Sequence, residues 1–183
     1  MDERRLRFEA QALPHLDAAL NLARWLTRSR ADADDIVQEA MLRAFRAFDG
    51  VRGNEVKPWL LAIVRNCCSS WASSARRRAQ VALAPDEEIA NDDNVLAAPA
   101  PNPETAAIGA DHGAKLVRLV ETLPEEFRTV LILREWEEMS YRQIAEVTGA
   151  PIGTVMSRLA RARALLKETW FDRVEGSARN VVR

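Results

Sequence analysis

Residues 140–169, SYRQIAEVTGAPIGTVMSRLARARALLKET, constrain this chain more than any other stretch. Ser140 and Gln143 stand at capping-box spacing, the serine hydroxyl for the third helical N–H and the glutamine side chain for the serine N–H, so a helix is expected to open there. Gly149 supplies a left-handed turn position, and Pro151 suits the first position of a second helix. At about 100° per residue, Ile152, Val155, Leu159, Ala162 and Leu166 collapse into one narrow apolar stripe. The opposite side carries Thr154, Ser157, Ala160 and Arg161, flanked by Arg158 and Arg163. Small and hydroxyl side chains let a helix sit deep in the major groove of DNA while arginines reach base edges and phosphates, as a recognition helix requires. An ordinary amphipathic helix with a solvated arginine face has the same spacing. The capped short helix before it favours the two-helix reading, because Tyr141, Ile144, Ala145 and Thr148 offer a matching packing face.

Charge speaks to partners rather than fold. The formal net charge is −1, but residues 1–80 carry 14 Lys/Arg against 10 Asp/Glu, residues 81–113 carry none against 7, and residues 114–183 carry 12 against 10. Two basic segments therefore flank an acidic one. That middle stretch also holds four prolines and shows no clear period, so it reads as a mobile, mostly extended linker. Its carboxylates keep it solvated.

The basic segments are helical in pattern. Residues 14–28 begin at a proline and place Leu16, Leu20 and Ala23, with Leu26 or Trp25, on one side. Asp32 is a candidate N-cap for a helix to Phe48, which Asp49-Gly50 stops. Ile36, Val37, Ala40, Met41, Ala44, Phe45 and Phe48 cover one broad side of it; Asp35, Gln38, Glu39, Leu42 and Arg46 cover the other. Leu42 is either a harmless exposed leucine or an apolar anchor inside a polar rim, the layout of a protein-binding surface. The residues leave both readings open.

From Pro58 a long helix runs to three arginines, favourably placed at its negative end. Leu60, Ile63, Val64, Cys67 and Trp71 share the expected buried side. Trp59, Arg65, Asn66, Ser69, Ser70, Ser73 and Arg77 share the other, where an aromatic among amides, hydroxyls and guanidiniums could stack and hydrogen-bond unpaired bases. A solvated polar face with one rim tryptophan fits the same pattern. Beyond the linker, Ala114–Thr122 makes a short helix and Pro124 opens another, whose apolar residues face more than one side, as expected of a central helix. Past Trp170 no strong signal remains, and fraying is expected.

Some classes of function find no support. There is no apolar run of about 18 residues, the N-terminus is too charged for a secretory signal, and a cytoplasmic protein without membrane insertion is expected. Adjacent Cys67 and Cys68 in a helical run suit buried thiols rather than a disulfide framework or zinc site. No nucleophile-base pair, metal cluster or phosphate-cradling glycine loop is present, so neither an enzyme nor a cofactor is expected.

The fold class expected is all-α: two small helical domains, residues 1–80 and 114–183, joined by a flexible acidic linker at 81–113, the second domain a helix-turn-helix. Three stretches, ADADDIVQEAMLRAF, KPWLLAIVRN and LPEEFRTVLILREWEEMSYRQIAEVTGAPIGTVMSRLARAR, in that order and spacing, resemble the bacterial extracytoplasmic-function (ECF) sigma factors. The resemblance covers roughly residues 10–79 and 114–170.

It implies a protein that binds core RNA polymerase and directs promoter-specific initiation. Asp35, Gln38, Glu39 and Leu42 would dock on the clamp helices of the largest polymerase subunit, and the C-terminal domain would meet the beta flap. The helix from Pro58 and the loop before it would recognise and melt the minus-10 element, with Asn66 near a base, Trp59 and Arg65 beside the single strand, Ser69 and Arg77 on the same face, and Arg52 to Lys57 helping to hold a flipped base. The last helix would read the minus-35 element, Ser157 and Arg161 touching bases and Thr154, Arg158 and Arg163 gripping phosphates. Met156 and Ala160 stand where many relatives carry a basic or larger residue, which implies fewer base contacts. Promoter DNA and an anti-sigma factor are the further partners implied. The acidic linker could thread toward the RNA exit path of polymerase, its charge imitating nucleic acid.

Overall fold

The computed structural model describes residues 3–51, 56–81, 113 and 115–179. The linker expectation and Arg52 fall outside them. The described residues are helices and short connections. Helix α1 spans Glu3–Ala12, α2 Leu16–Thr27, α3 Arg30–Ala47 and α4 Val56–Val81, with single 3-10 turns at Leu13–His15 and Phe48–Gly50. Helix α5 covers residues 115–122. Then come α6 (Glu125–Glu135), α7 (Tyr141–Thr148) and α8 (Ile152–Arg179).

Helix α1 hides its apolar payload in a charged run. Phe8 and Ala12 are buried with Ala44, Phe48, Val56 and Leu60 in a small core of their own. Phe8 meets Phe45 and Phe48 edge-on, with centroids 5.2 and 5.3 Å apart. Arg4 lies over the Phe45 ring and donates to the Phe45 carbonyl at 2.9 Å. The guanidinium thus covers the apolar edge while its Nε lies 3.0 Å from the Asp49 carboxylate.

The start of α3 corrects the expected cap. Ser29, not Asp32, is the N-cap: its backbone is extended and its hydroxyl accepts from the Asp32 N–H at 3.3 Å. Asp32 instead sits in the first turn, where its charge favours the positive end of the helix dipole. In α4 the buried side is Leu60, Leu61, Val64, Cys67 and Cys68. Ile63 and Trp71, expected inside, are half-buried. The buried face of α4 is therefore turned by about one residue from the expected one. A fully buried leucine contributes roughly 1.5–3 kcal/mol, so Leu60 and Leu61 anchor this rotation.

Central position explains α6, in which Arg128 to Leu133 are all buried, leaving no solvent face across its middle. Arg128 donates to the Glu121 carbonyl at 2.9 Å, and burial pushes its guanidinium pKa down. Helix α8 continues past Trp170 to Arg179, where fraying was expected. Its Val155, Leu159 and Ala162 are buried against α6 and α7, whereas Ile152 is exposed and Leu166 half-buried.

The two halves share one core. Buried residues of α2, α3 and α4 join those of α5 to α8 in a single apolar cluster, with α4 against α7 and α2 against α6. Trp25 and Trp136 pack across this join at 5.5 Å between centroids.

Candidate nucleic-acid and protein interfaces

The two-helix motif forms as its residue types dictate. Ser140 accepts from the Gln143 N–H at 3.3 Å, and the Gln143 side chain accepts from the Ser140 N–H at 2.9 Å. Gly149 stands at φ 68°, the left-handed region where a side chain is strained, and its N–H closes α7 on the Ala145 carbonyl at 2.8 Å. Pro151 precedes the first residue of α8, and its carbonyl accepts from Val155. The expected packing face of α7 is partly shifted: Ile144 and Val147 are buried, while Tyr141, Ala145 and Thr148 are half-buried.

Burial of Val155, Leu159 and Ala162 turns the opposite side of α8 outward. Met156, Ser157, Ala160, Arg161 and Arg163 are exposed, and Thr154 and Arg158 are half-exposed. The three arginines differ. Arg158 pairs with Glu126 at 2.7 Å and Arg163 with Glu135 at 2.7 Å, so acids of α6 hold both side chains back along the helix. The hydrogen bond that Arg163 donates to Glu135 raises the Arg163 pKa. Arg161 carries no ion pair among the described residues and projects into solvent.

On α4, the residues expected to meet unpaired bases divide. Asn66, Ser69 and Arg77 are exposed on one strip. Trp59 is half-buried, its ring centroid 6.4 Å from that of Phe48, so one face belongs to the small core. Arg65 lines a cleft of about 340 Å³ with Pro124, Glu125, Glu126 and Arg158 of the C-terminal half. Lys57 is bound by Glu137, with Nζ 3.0 Å from the carboxylate and donating to the backbone carbonyl at 2.9 Å. Two of the expected minus-10 side chains therefore face the other half of the chain.

On α3, Asp35, Gln38, Glu39 and Leu42 are all exposed, Leu42 by 50%. Glu39 pairs with Arg43 at 2.7 Å. Gln38 and Leu42 edge an apolar groove of about 660 Å³ whose walls include Leu13, Leu16, Leu20, Met41 and Phe45. Leu42 is thus one wall of a continuous apolar surface between α1, α2 and α3 rather than an isolated leucine. The sequence signal was the exposed pair Leu13 and Leu42, but it needed α1 to be recognised as a helix.

Cys67 and Cys68 are free and buried. Burial raises both thiol pKa values, Cys68 to about 12. Among the described residues, no group of three or more His, Cys, Asp or Glu is placed to hold a metal ion, and no helix is long and apolar enough to cross a membrane.

Comparison with known proteins matches both halves. Residues 13–78 match the family model for Sigma-70 region 2, and residues 114–166 that for Sigma-70, region 4. The RNA polymerase sigma-H factor of Pseudomonas aeruginosa is 33% identical over 159 residues, spanning 85% of this chain and 82% of that protein. The ECF RNA polymerase sigma-E factor of Escherichia coli is 34% identical over 134 residues, 72% of this chain and 70% of that protein. The ECF RNA polymerase sigma factor SigE of Mycolicibacterium smegmatis is 32% identical over 84% of this chain, which spans only 58% of that relative's length. Among solved structures, the sigma factor RpoE of Bartonella quintana, crystallised with the anti-sigma factor NepR, superposes with a TM-score of 0.71 at 27% identity, over 88% of this chain and 95% of that one. CnrH, solved with the cytosolic domain of CnrY, shares the fold with a TM-score of 0.61 at 21% identity, over 91% of this chain and 88% of that one.

Proposed function

The chain belongs to the ECF sigma factors of RNA polymerase, and on that premise we propose that it binds core polymerase and directs initiation at promoters read by two separate surfaces. The supporting observation is the coexistence, in one chain, of the α4 strip Asn66, Ser69 and Arg77 with a capped two-helix motif whose second helix presents Ser157 and Arg161.

In this reading α8 enters the major groove at the minus-35 element. Ser157 and Arg161 touch base edges, and Thr154, Arg158 and Arg163 meet phosphates. Met156 and Ala160 lie flat against the groove and leave readout to few polar contacts. Helix α4 takes the minus-10 element, where Asn66 hydrogen-bonds an extruded base and Trp59, Arg65 and Lys57 line the single strand. Opening a base pair costs a few kcal/mol, which capture of that base offsets. Asp35, Gln38, Glu39 and Leu42 dock on the polymerase clamp. Leu42 supplies the apolar centre and the polar three its rim.

The chain acts in the cytoplasm, beside polymerase, and supplies specificity rather than catalysis. RpoE was solved with an anti-sigma factor, and a partner of that kind is proposed here also. Run-off transcription with purified core polymerase on genomic fragments of the source organism tests the reading. Discrete transcripts that require the chain support it; none at any fragment refutes it.

A further inference from the structure

Glu137 ends the turn after α6 with its side chain only 8% exposed, although it is a carboxylate outside any catalytic or metal setting. Burial of such a charge costs several kcal/mol unless partners replace water. Here they do. Lys57 Nζ of α4 lies 3.0 Å from Oε2, and Asn21 Nδ2 of α2 donates to Oε1 at 2.9 Å. Lys57 also donates to the Glu137 carbonyl at 2.9 Å. Both donors belong to the N-terminal half and the acceptor to the C-terminal half. The turn is held in place by Glu137 N–H to the Ile132 carbonyl, Met139 N–H to the Leu133 carbonyl, and an Arg134 guanidinium on the Met139 carbonyl.

An amide N–H and an ammonium that converge on one carboxylate form a two-point site for any small oxyanion. A phosphodiester offers the same pair of oxygens. We propose that Asn21 and Lys57 are an oxyanion clamp with two alternative occupants: Glu137 in the closed chain, and a backbone phosphate of the melted promoter strand once the halves separate. Asn21 thereby becomes a DNA-contacting residue, and Glu137 a built-in competitor that withholds Lys57 from DNA. The inference rests on the sigma-factor reading for the identity of the strand. Two other polar features of the join, which is otherwise apolar, have the same polarity. Arg28 of the N-terminal half donates to the Glu121 carbonyl at 2.6 Å, and Arg65 faces the cleft with Glu125 and Glu126. Acidic and carbonyl groups of one half thus sit where nucleic acid would sit on the other.

The full-length chain suffices for the test. Small-angle scattering reads opening, and fluorescence anisotropy reads binding of a fluorescein-labelled oligo(dT) of about 15 nucleotides at low salt. Glu137→Ala should enlarge the radius of gyration and tighten oligo(dT) binding about five- to tenfold, since apparent affinity scales with the open fraction. Trp136→Ala, which loosens the join from the tryptophan pair and leaves Glu137 intact, should act in the same direction and serves if Glu137→Ala does not fold. Adding Asn21→Ala to Trp136→Ala should weaken binding again without closing the chain. Opened variants that bind oligo(dT) no better than the parent, or an Asn21→Ala addition that changes nothing, would overturn the clamp; so would an unaltered radius in both single variants. Run-off transcription by the parent chain is scored separately, so failure of the sigma-factor reading is distinguishable from failure of the clamp.

Discussion

Arg28 and Arg128 converge on one acceptor: each donates to the carbonyl oxygen of Glu121, at 2.6 and 2.9 Å, from opposite halves of the chain. Glu121 lies in the last turn of α5, where unsatisfied carbonyls give a helix its negative end. Two guanidiniums there satisfy a carbonyl that α5 cannot. They also tie α2 to the C-terminal half. Arg128 is the buried member, and its charge lowers in pKa for want of water. Arg128→Ala is expected to cost about 1–3 kcal/mol, because a buried cavity remains and the Glu121 carbonyl keeps only its bond from Arg28. Urea unfolding monitored by tryptophan fluorescence measures the loss.

The arginines of α8 should separate by phenotype. Arg161→Ala should cost about 1–3 kcal/mol and relax preference at one promoter position, as expected for a bidentate base contact. Arg158→Ala should weaken binding to all sequences and reduce the salt slope by about one. Glu126→Gln should tighten binding at all sequences, since it releases Arg158 from its 2.7 Å pair and removes a charge that repels phosphate. Run-off titrations on wild-type and substituted minus-35 duplexes distinguish the three outcomes.

Leu42→Asp places a charge on the wall of the apolar groove of α1, α2 and α3. The side chain is half-exposed, so the helical circular dichroism and Tm should change little. Co-purification with core polymerase should be lost. Retained binding with an intact fold would remove the docking assignment.

The thiols report on the core. Cys68, pushed up to about 12 by burial, and Cys67, also raised, should stay unmodified by Ellman's reagent in the native chain at pH 8 and react fully in urea. Because both ionise less readily folded than unfolded, stability should be level below pH 8 and fall as pH rises through the thiol range of the unfolded chain. Denaturant midpoints between pH 7 and 10 check the sign.

Local chemistry made much of this fold legible. Ser140, Gln143 and Gly149 act within one turn of themselves, and the stripe Val155, Leu159 and Ala162 is a matter of angle alone. What required distant partners was not. Phe8 lies in a charged run, and the distant residues Ala44, Phe45, Phe48, Val56 and Leu60 give α1 a reason to fold. Ser29 outcompetes Asp32 as a cap by one backbone angle pair that spacing does not set. Leu61 and Cys68 replace Ile63 and Trp71 inside because α7 covers α4 from the side assigned to solvent. The family resemblance puts Lys57 and Arg65 at DNA, and their present neighbours lie 59 or more positions away. Asn21 meets Glu137 across a sequence separation of 116, and no pattern within α2 marks it.

The central claim is that α4 and α8 read two elements of one promoter at once. On a promoter found by run-off transcription, inserting about five base pairs between those elements rotates one by half a helical turn relative to the other. Initiation should then fall to the level of core polymerase alone and return when a deletion of the same length elsewhere in the spacer restores the original separation. Unchanged initiation from the half-turn insertion would contradict the account.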